Sequence, residues 1–211
     1  MHIEFIDLLR CPTAHEDSWL VAAITKMEGR IVVEAKLGCP VCAASYFVRD
    51  GVALFDGTSS SDDEPAAEQP GGQTASESDA PVRIAAFLEL TPGALALLTG
   101  DWARASEAVA DLTGARIISL NATRATRGLE NVAEIRGTGR VAVAARSLDG
   151  VALDYGHSTA SMLDEAACLL RPRGRLIAAA SAQLPPQFHE LARDADNVVA
   201  EYVGELVPLR R

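Results

Sequence analysis

Residues 94–103 read ALALLTGDWA, and the next eighteen, RASEAVADLTGARIISLN, run on to Asn121. An apolar stretch enters a turn at Thr99-Gly100-Asp101, and an amphipathic helical pattern leaves it. Strand, turn and helix in that order open many nucleotide-binding α/β domains, where glycines let the backbone approach the ligand. Here the turn holds one glycine rather than two or three. A lone glycine between strand and helix is ordinary turn chemistry, so the stretch speaks for a fold before it speaks for a ligand.

Outward from this unit, residues 82–211 alternate between strand and helix patterns. They predict a helix over 82–89, a strand over 94–98, and a helix over 101–113 opened by Asp101 and closed by Gly114. A strand over 115–120, a helix near 127–136 and strands at 140–145 and 150–154 follow. A helix over 159–170, the turn RPRG, a strand over 175–180 and a helix near 186–194 lead to closing strands at 197–202 and 205–210. Apolar, non-alternating strands between helices indicate a parallel sheet covered on both faces. Only Val203-Gly204 separates the closing strands, which makes them a hairpin and brings one antiparallel strand into the sheet. The expected fold class is α/β, a Rossmann-like sheet with a C-terminal antiparallel hairpin.

Residues 56–81, DGTSSSDDEPAAEQPGGQTASESDAP, contain no Val, Ile, Leu, Met or aromatic residue. Such a tract buries too little apolar surface to offset its ordering entropy, so it reads as a disordered acidic linker between a unit at 1–55 and one at 82–211. It also sets the charge. The net −10 of the 211-residue chain divides into −2 for 1–55, −7 for 56–81 and −1 for 82–211. Both folded parts are near neutral, which leaves nucleic-acid binding open. No apolar run approaches the roughly 20 residues of a membrane-spanning helix. The start, MHIEFIDLLRCP, carries Glu4 and Asp7 and no basic segment, unlike a signal peptide, which implies a cytoplasmic protein.

The first unit opens with a short helical pattern at Ile3, Ile6 and Leu9. Two strand-like runs, 19–25 and 30–37, are joined by KMEG as a hairpin, and SYFVRDGVALF is a strand with an Asp50-Gly51 turn. Between them, Cys39-Pro40-Val41-Cys42 lets two thiolates reach one metal from a tight turn, as zinc knuckles do. Cys11 is a third candidate ligand and His15, four positions on, a fourth, giving a Cys3His shell, with His2 as a substitute. The competing reading makes these cysteines buried apolar residues of a small β unit without metal.

FIDLLRCP, the hairpin, and LGCPVCAASYFVRDGVALF resemble the small zinc-ribbon-like activator subunits of tRNA methyltransferases, over nearly all of residues 1–55. The chain departs from that pattern at Ala14-His15, where a second cysteine is common. In the second unit, SLDGVALDY…MLDEAACLLRPRGRLIAAA and NVVAEYVGELVPLRR resemble the fourth and fifth strands and the closing hairpin of class I S-adenosylmethionine-dependent methyltransferases. That resemblance implies a glycine-rich loop after the first strand and an acid at the end of the second, which accepts from the cofactor's ribose. This chain has the lone Gly100, flanked by Asp101, and Asn121, which lacks a carboxylate's two charged oxygens. The resemblance to an activator implies docking in cis on the α/β unit or on a separate methyltransferase. Two readings follow: a non-catalytic, protein-binding relative, favoured by the missing loop and acid, and an active methyltransferase with a divergent site. In the second, Gly100, Asp101 and Asn121 hold S-adenosylmethionine, and Asp154 and Tyr155 lie nearest the transferred methyl. The plain alternative for Asp154 is a capping carboxylate.

Other constellations compete. VALDYGHSTASML resembles a nucleophile elbow around Ser158, but the sole later histidine, His189, falls in a predicted helix, and Ser158 or Thr159 serves equally as a helix cap. Residues 116–146 hold six arginines against Glu130 and Glu134, and Arg171, Arg173 and Arg175 flank a turn. Such clusters bind RNA weakly and salt-sensitively, or are solvated surface charge. Cys168, Trp19 and Trp102 read as packing residues.

Overall fold

The computed structural model describes residues 1–56, 79–122 and 129–204. Nearly all of the expected acidic linker, the start of the helix expected near 127–136 and the strand expected at 205–210 lie outside the described residues. The N-terminal part contains α1 (Ile3–Ile6), β1 (Val21–Glu28), β2 (Ile31–Gly38), β3 (Ser45–Arg49) and β4 (Val52–Leu54). Then come α2 (Ala80–Phe87), β5 (Leu95–Thr99), α3 (Gly100–Ala103), α4 (Ser106–Thr113), β6 (Arg116–Leu120) and β7 (Val132–Arg136). The chain continues with β8 (Leu148–Ala152), α5 (Ala160–Leu169), β9 (Leu170–Ala179), β10 (Phe188–Arg193) and β11 (Asn197–Tyr202).

These strands form one sheet in the order β1-β2-β3-β4-β7-β6-β5-β8-β9-β11-β10. From β7 to β9 all pairings are parallel, and β11 enters antiparallel between β9 and β10. A parallel sheet closed by one antiparallel strand is the arrangement that the methyltransferase resemblance implies. Its strands are buried on both faces. Leu95, Leu97, Ile118, Val151 and Leu176 point to the face covered by α5 and the N-terminal part. Ala96, Leu98, Ile117, Ala152 and Ile177 point to the face covered by α2 and α4. Period-two alternation with both classes apolar is the signature of a central strand.

The N-terminal meander joins that sheet directly. Its four strands are antiparallel to one another, and β4 runs parallel to β7 with Val52, Ala53 and Leu54 opposite Glu134, Ile135 and Arg136. Asp50 and Gly51, both at positive φ, make the expected turn between β3 and β4. A second seam runs through residues 8–10. Arg10 donates its backbone N–H to the Ala142 carbonyl at 3.1 Å, and Ala144 donates to that of Leu8 at 2.9 Å. One hydrophobic core contains Phe5, Leu9, Val32 and Leu37 together with Leu97, Ile135 and Leu153.

Several expected elements differ. The segment expected as helix near 127–136 is strand β7 where it is described, because Val132, Ala133 and Ile135 are buried between β6 and β4. Of residues 140–145, 141–144 are buried, and they form only an isolated bridge to Leu9, their backbone groups serving the seam instead. The expected helix near 186–194 is β10, an edge strand in which Phe188 alone is buried, facing Tyr202 across the hairpin. Tertiary pairing there overrides the local helical propensity of HELAR. The closing hairpin is therefore β10–β11, one strand earlier than expected. The single helix expected over 101–113 is two, α3 and α4, broken at Arg104-Ala105, and Asp101 lies inside α3 rather than capping it. Gly114 ends α4 in the left-handed conformation, as expected. Cys168 and Trp19 are exposed, not core residues.

Candidate functional site

Cys11, His15, Cys39 and Cys42 converge at one end of the meander, with their ligand atoms all within 4.8 Å of one another. Cys39 follows β2, and its N–H donates to the Ala44 carbonyl while Ala43, at positive φ, donates back to the Cys39 carbonyl. That tight turn presents both knuckle thiols to the same point. Cys11 is brought up by the loop 11–18, closed by a hydrogen bond from Cys11 N–H to Ser18 O. The same loop carries His15. His15 Nδ1 lies 2.6 Å from the Glu16 carbonyl, which can only accept, so the ring proton sits on Nδ1 and the Nε2 lone pair faces Cys39 Sγ at 3.4 Å. Orientation of a ligating imidazole through its other nitrogen is the usual support of a metal-binding histidine. His2, by contrast, accepts from Arg30 Nε and does not join the cluster.

The donor set fits zinc. A tetrahedral zinc ion with ordinary bond lengths has sulfur–sulfur edges of about 3.8 Å and sulfur–nitrogen edges of about 3.5 Å. Cys11 Sγ lies 3.7 Å from Cys42 Sγ, and Cys39 Sγ 3.4 Å from His15 Nε2. Burial opposes ionisation of Cys11, but hydrogen bonds from Thr13 and Tyr46 outweigh it and bring its thiol down to about 6. Burial pushes the Tyr46 phenol up to about 12, so it stays a donor to the sulfur.

In the α/β part the decisive contact is between Asp154 and the turn after β5. Gly100 has φ +49°, and a Cβ built on it would overlap Asp154 Oδ2 and lie 2.5 Å from Asp154 Cγ. The glycine makes room for the chain's own carboxylate. Asp154 Oδ1 accepts from Thr99 Oγ1 at 3.3 Å, from the His157 N–H at 3.1 Å and from His157 Nδ1 at 2.5 Å, while Oδ2 accepts from the Asp101 N–H at 3.4 Å. Burial would raise the Asp154 carboxyl, but the hydrogen bond and charge of His157 outweigh it and hold it below its ordinary value. Trp102 closes the same corner, its indole N–H donating to Leu153 O at 3.3 Å.

Asn121, at positive φ where β6 ends, is equally committed. Its Nδ2 donates to Gly137 O at 2.9 Å and its Oδ1 accepts from Gly137 N–H at 3.0 Å, a two-point clamp between the ends of β6 and β7. Tyr155, beside Asp154, is 73% exposed. Asp154 and Gly100 thus come together, Asp101 meets Asp154 through its backbone N–H, and Asn121 is turned to another strand. Asp154 Oδ2 thus takes up the room over Gly100, and both ends of the Asn121 amide are bonded to Gly137.

Ser158 is bonded to backbone on both sides. Its hydroxyl donates to Asp154 O and accepts from Ala179 N–H, while Thr159 caps α5 through Met162 N–H. His189, the histidine that a triad would need, is on exposed strand β10. The residue that sequence reasoning missed is His157. It stands against Asp154 and lines a cleft of about 220 Å³ at the carboxyl ends of β6 and β7, with Phe55, Asn121, Gly137, Arg140 and Met162. The available signal was the Asp-x-x-His spacing directly after a strand. Of the clustered arginines, Arg116 lies near Glu4, and Arg136, Arg140, Arg171 and Arg175 pair with Glu134, Glu165, Asp149 and Glu89.

No protein-family model matches the sequence, and no curated protein does. Solved structures do. One from Galdieria sulphuraria, described as a candidate sarcosine dimethylglycine methyltransferase, is 20% identical with a TM-score of 0.40, over 47% of this chain and 43% of that one. A chain from a complex between the Haloferax volcanii Trm112 methyltransferase activator and a proposed methyltransferase is 14% identical with a TM-score of 0.48, over 60% and 87%. Phosphoethanolamine N-methyltransferase 2 of Haemonchus contortus is 14% identical with a TM-score of 0.37, over 55% and 30%. This chain spans less than half the length of the first and third of these. No described helix is long and apolar enough to cross a membrane.

Proposed function

We propose that this protein is a non-catalytic, methyltransferase-like scaffold that carries an activator-like zinc module docked in cis and works by binding other proteins. The single observation that carries the reading is the Asp154 carboxylate in the space over Gly100, where a cofactor's methionine end would need open backbone. The clamp of Asn121 on Gly137 supports it from the ribose side. Docking in cis is supported by β4, which pairs with β7 and so covers the sheet edge that a separate strand would otherwise take. Zinc is supported by the chemistry and spacing of the Cys3His cluster, and its role is to hold the loop 11–18 against the knuckle. The partner-facing surface is the apolar set Trp19, Val21 and Val41, each at least half exposed on the module.

Calorimetric titration of the zinc-loaded chain with S-adenosylmethionine and S-adenosylhomocysteine tests the reading. No heat of binding is expected at millimolar ligand. A micromolar Kd for either compound overturns it in favour of an active enzyme with a divergent site.

A further inference from the structure

We propose that the Cys3His cluster is a peroxide-sensitive switch in which Cys42 and Cys11 are oxidised to a disulfide and the module releases its metal. The metal half of this rests on the zinc reading above, and the disulfide half stands on geometry alone. The Sγ atoms of Cys11 and Cys42 lie 3.7 Å apart, and a disulfide needs them at about 2.05 Å. The bond would join positions 31 residues apart in sequence. The four ligands also differ in access: Cys42 is exposed, His15 half-buried, and Cys11 and Cys39 buried. An exposed sulfur beside a buried one within reach is the arrangement of an attacked and a resolving cysteine.

The chemistry balances with hydrogen peroxide as the only co-reactant. The Cys42 thiolate attacks one peroxide oxygen, the O–O bond breaks, and the hydroxide that leaves takes a proton from solvent to become water, giving the sulfenic acid. The Cys11 thiolate then attacks the Cys42 sulfur, the S–O bond breaks, and the hydroxide that leaves takes a second solvent proton to become the second water. The two sulfurs lose two electrons in total, one peroxide gains them, and the two negative charges that held the metal are gone. His15 and Cys39 alone are left for the metal, half of a structural zinc shell.

The consequence reaches past the cluster. Cys11 directly follows Arg10, whose N–H donates to the Ala142 carbonyl, and lies three residues after Leu8, whose carbonyl accepts from Ala144 N–H; these two bonds join the module to the α/β part. Pulling Cys11 toward Cys42 loads that seam.

The test uses the full chain, zinc-loaded, treated with stoichiometric hydrogen peroxide, with zinc release read by a chromogenic chelator and thiols read by peptide mass mapping. Expected are release of zinc in step with a Cys11–Cys42 crosslink, reversal by dithiothreitol with added zinc, and the same crosslink in C168S. In C42S no Cys11 crosslink forms, and if that variant fails to fold, the wild-type mass map decides alone. A Cys39–Cys42 crosslink, or oxidation to sulfinic acid without a crosslink, overturns the proposal. Absence of zinc from the untreated protein overturns the metal reading, while the crosslink in that same sample still decides the disulfide half for or against.

Discussion

At the turn after β5, Asp154 and Gly100 share one small space. A glycine after the first strand of such a sheet is ordinarily read as room for a ligand, yet here its missing Cβ admits a carboxylate from β8's end. Gly100→Ala therefore meets two penalties. Alanine at positive φ costs about 1 kcal/mol, and overpacking against a fixed neighbour about 1–3 kcal/mol more. The second part depends on Asp154, so in a double-mutant cycle the pair Gly100→Ala with Asp154→Ala should destabilise by less than the sum of the single changes. Additive denaturation free energies would mean that the two groups do not touch. Asp154 itself makes a pH prediction. Its carboxyl is held below the ordinary value of 3.8, so the stabilisation it supplies is fully present above that pH and is lost as the pH falls through its lower folded value. At pH 7, Asp154→Asn should cost about 1–3 kcal/mol, the range for a buried charge-assisted hydrogen bond. Below about pH 4 the difference in urea midpoint between variant and wild type should shrink. A difference that stays constant down to about pH 2 would show that the carboxylate's charge is not what matters.

At the scale of elements, β4 is the smallest strand with the largest consequence. Its three residues pair with β3 on one side and β7 on the other, and Ala53 has no exposed surface. With β4 paired on both sides, backbone amides of Val52–Leu54 are expected to exchange hydrogen as slowly as those of β5, although edge meanders ordinarily exchange early. Ala53→Asp would bury an unpaired carboxylate at the seam, with a cost on the order of 3 kcal/mol or more. In that variant β1 to β4 should lose protection while β5, β8 and β9 keep theirs. Equal loss across the whole sheet would instead mark β4 as part of the folding core. None of this was readable from YFVRDGVALF, which declares a strand, a turn and another strand but not their neighbour. Strands such as LALLT and RIISL were legible because a fully buried run has the same composition wherever it is paired. β7 and β10 were not, since a short segment that mixes apolar and charged residues takes its state from its neighbours. The candidate sites divide in the same way. Cys39-x-x-Cys42 was legible because sequence spacing alone brings two thiols together. The His157–Asp154 contact was half legible from its spacing, and the commitment of Asn121 to Gly137 could be seen only once β6 and β7 lay side by side.

Taken whole, the molecule poses a question about cooperativity. The sequence suggests two units, while the sheet passes through both and one hydrophobic core contains residues of each. A shared core makes the parts unfold together, because exposing Phe5 or Leu37 also exposes Leu97 and Ile135. The two tryptophans serve as separate reporters. Trp19 belongs to the module, with the Arg10 guanidinium 4.4 Å above its ring, and Trp102 sits on α3 with its indole bonded to Leu153. In Trp19→Phe and Trp102→Phe each remaining indole reports one part, and Trp19, 65% exposed, is replaced at little cost in stability. The thermal midpoints of the two variants, each corrected by calorimetry for its own change in stability, are expected to coincide. Chelation extends the test across the molecule. A structural metal bound only by the folded state adds its binding free energy to folding. Removing about 3 kcal/mol of it lowers Tm by roughly 6–12 °C at this chain length. With a shared core, the indole of Trp102, outside the metal loop, should shift by as much as that of Trp19 when zinc is chelated. A shift confined to Trp19 would mean that the module melts alone and that the continuous sheet does not couple the two parts.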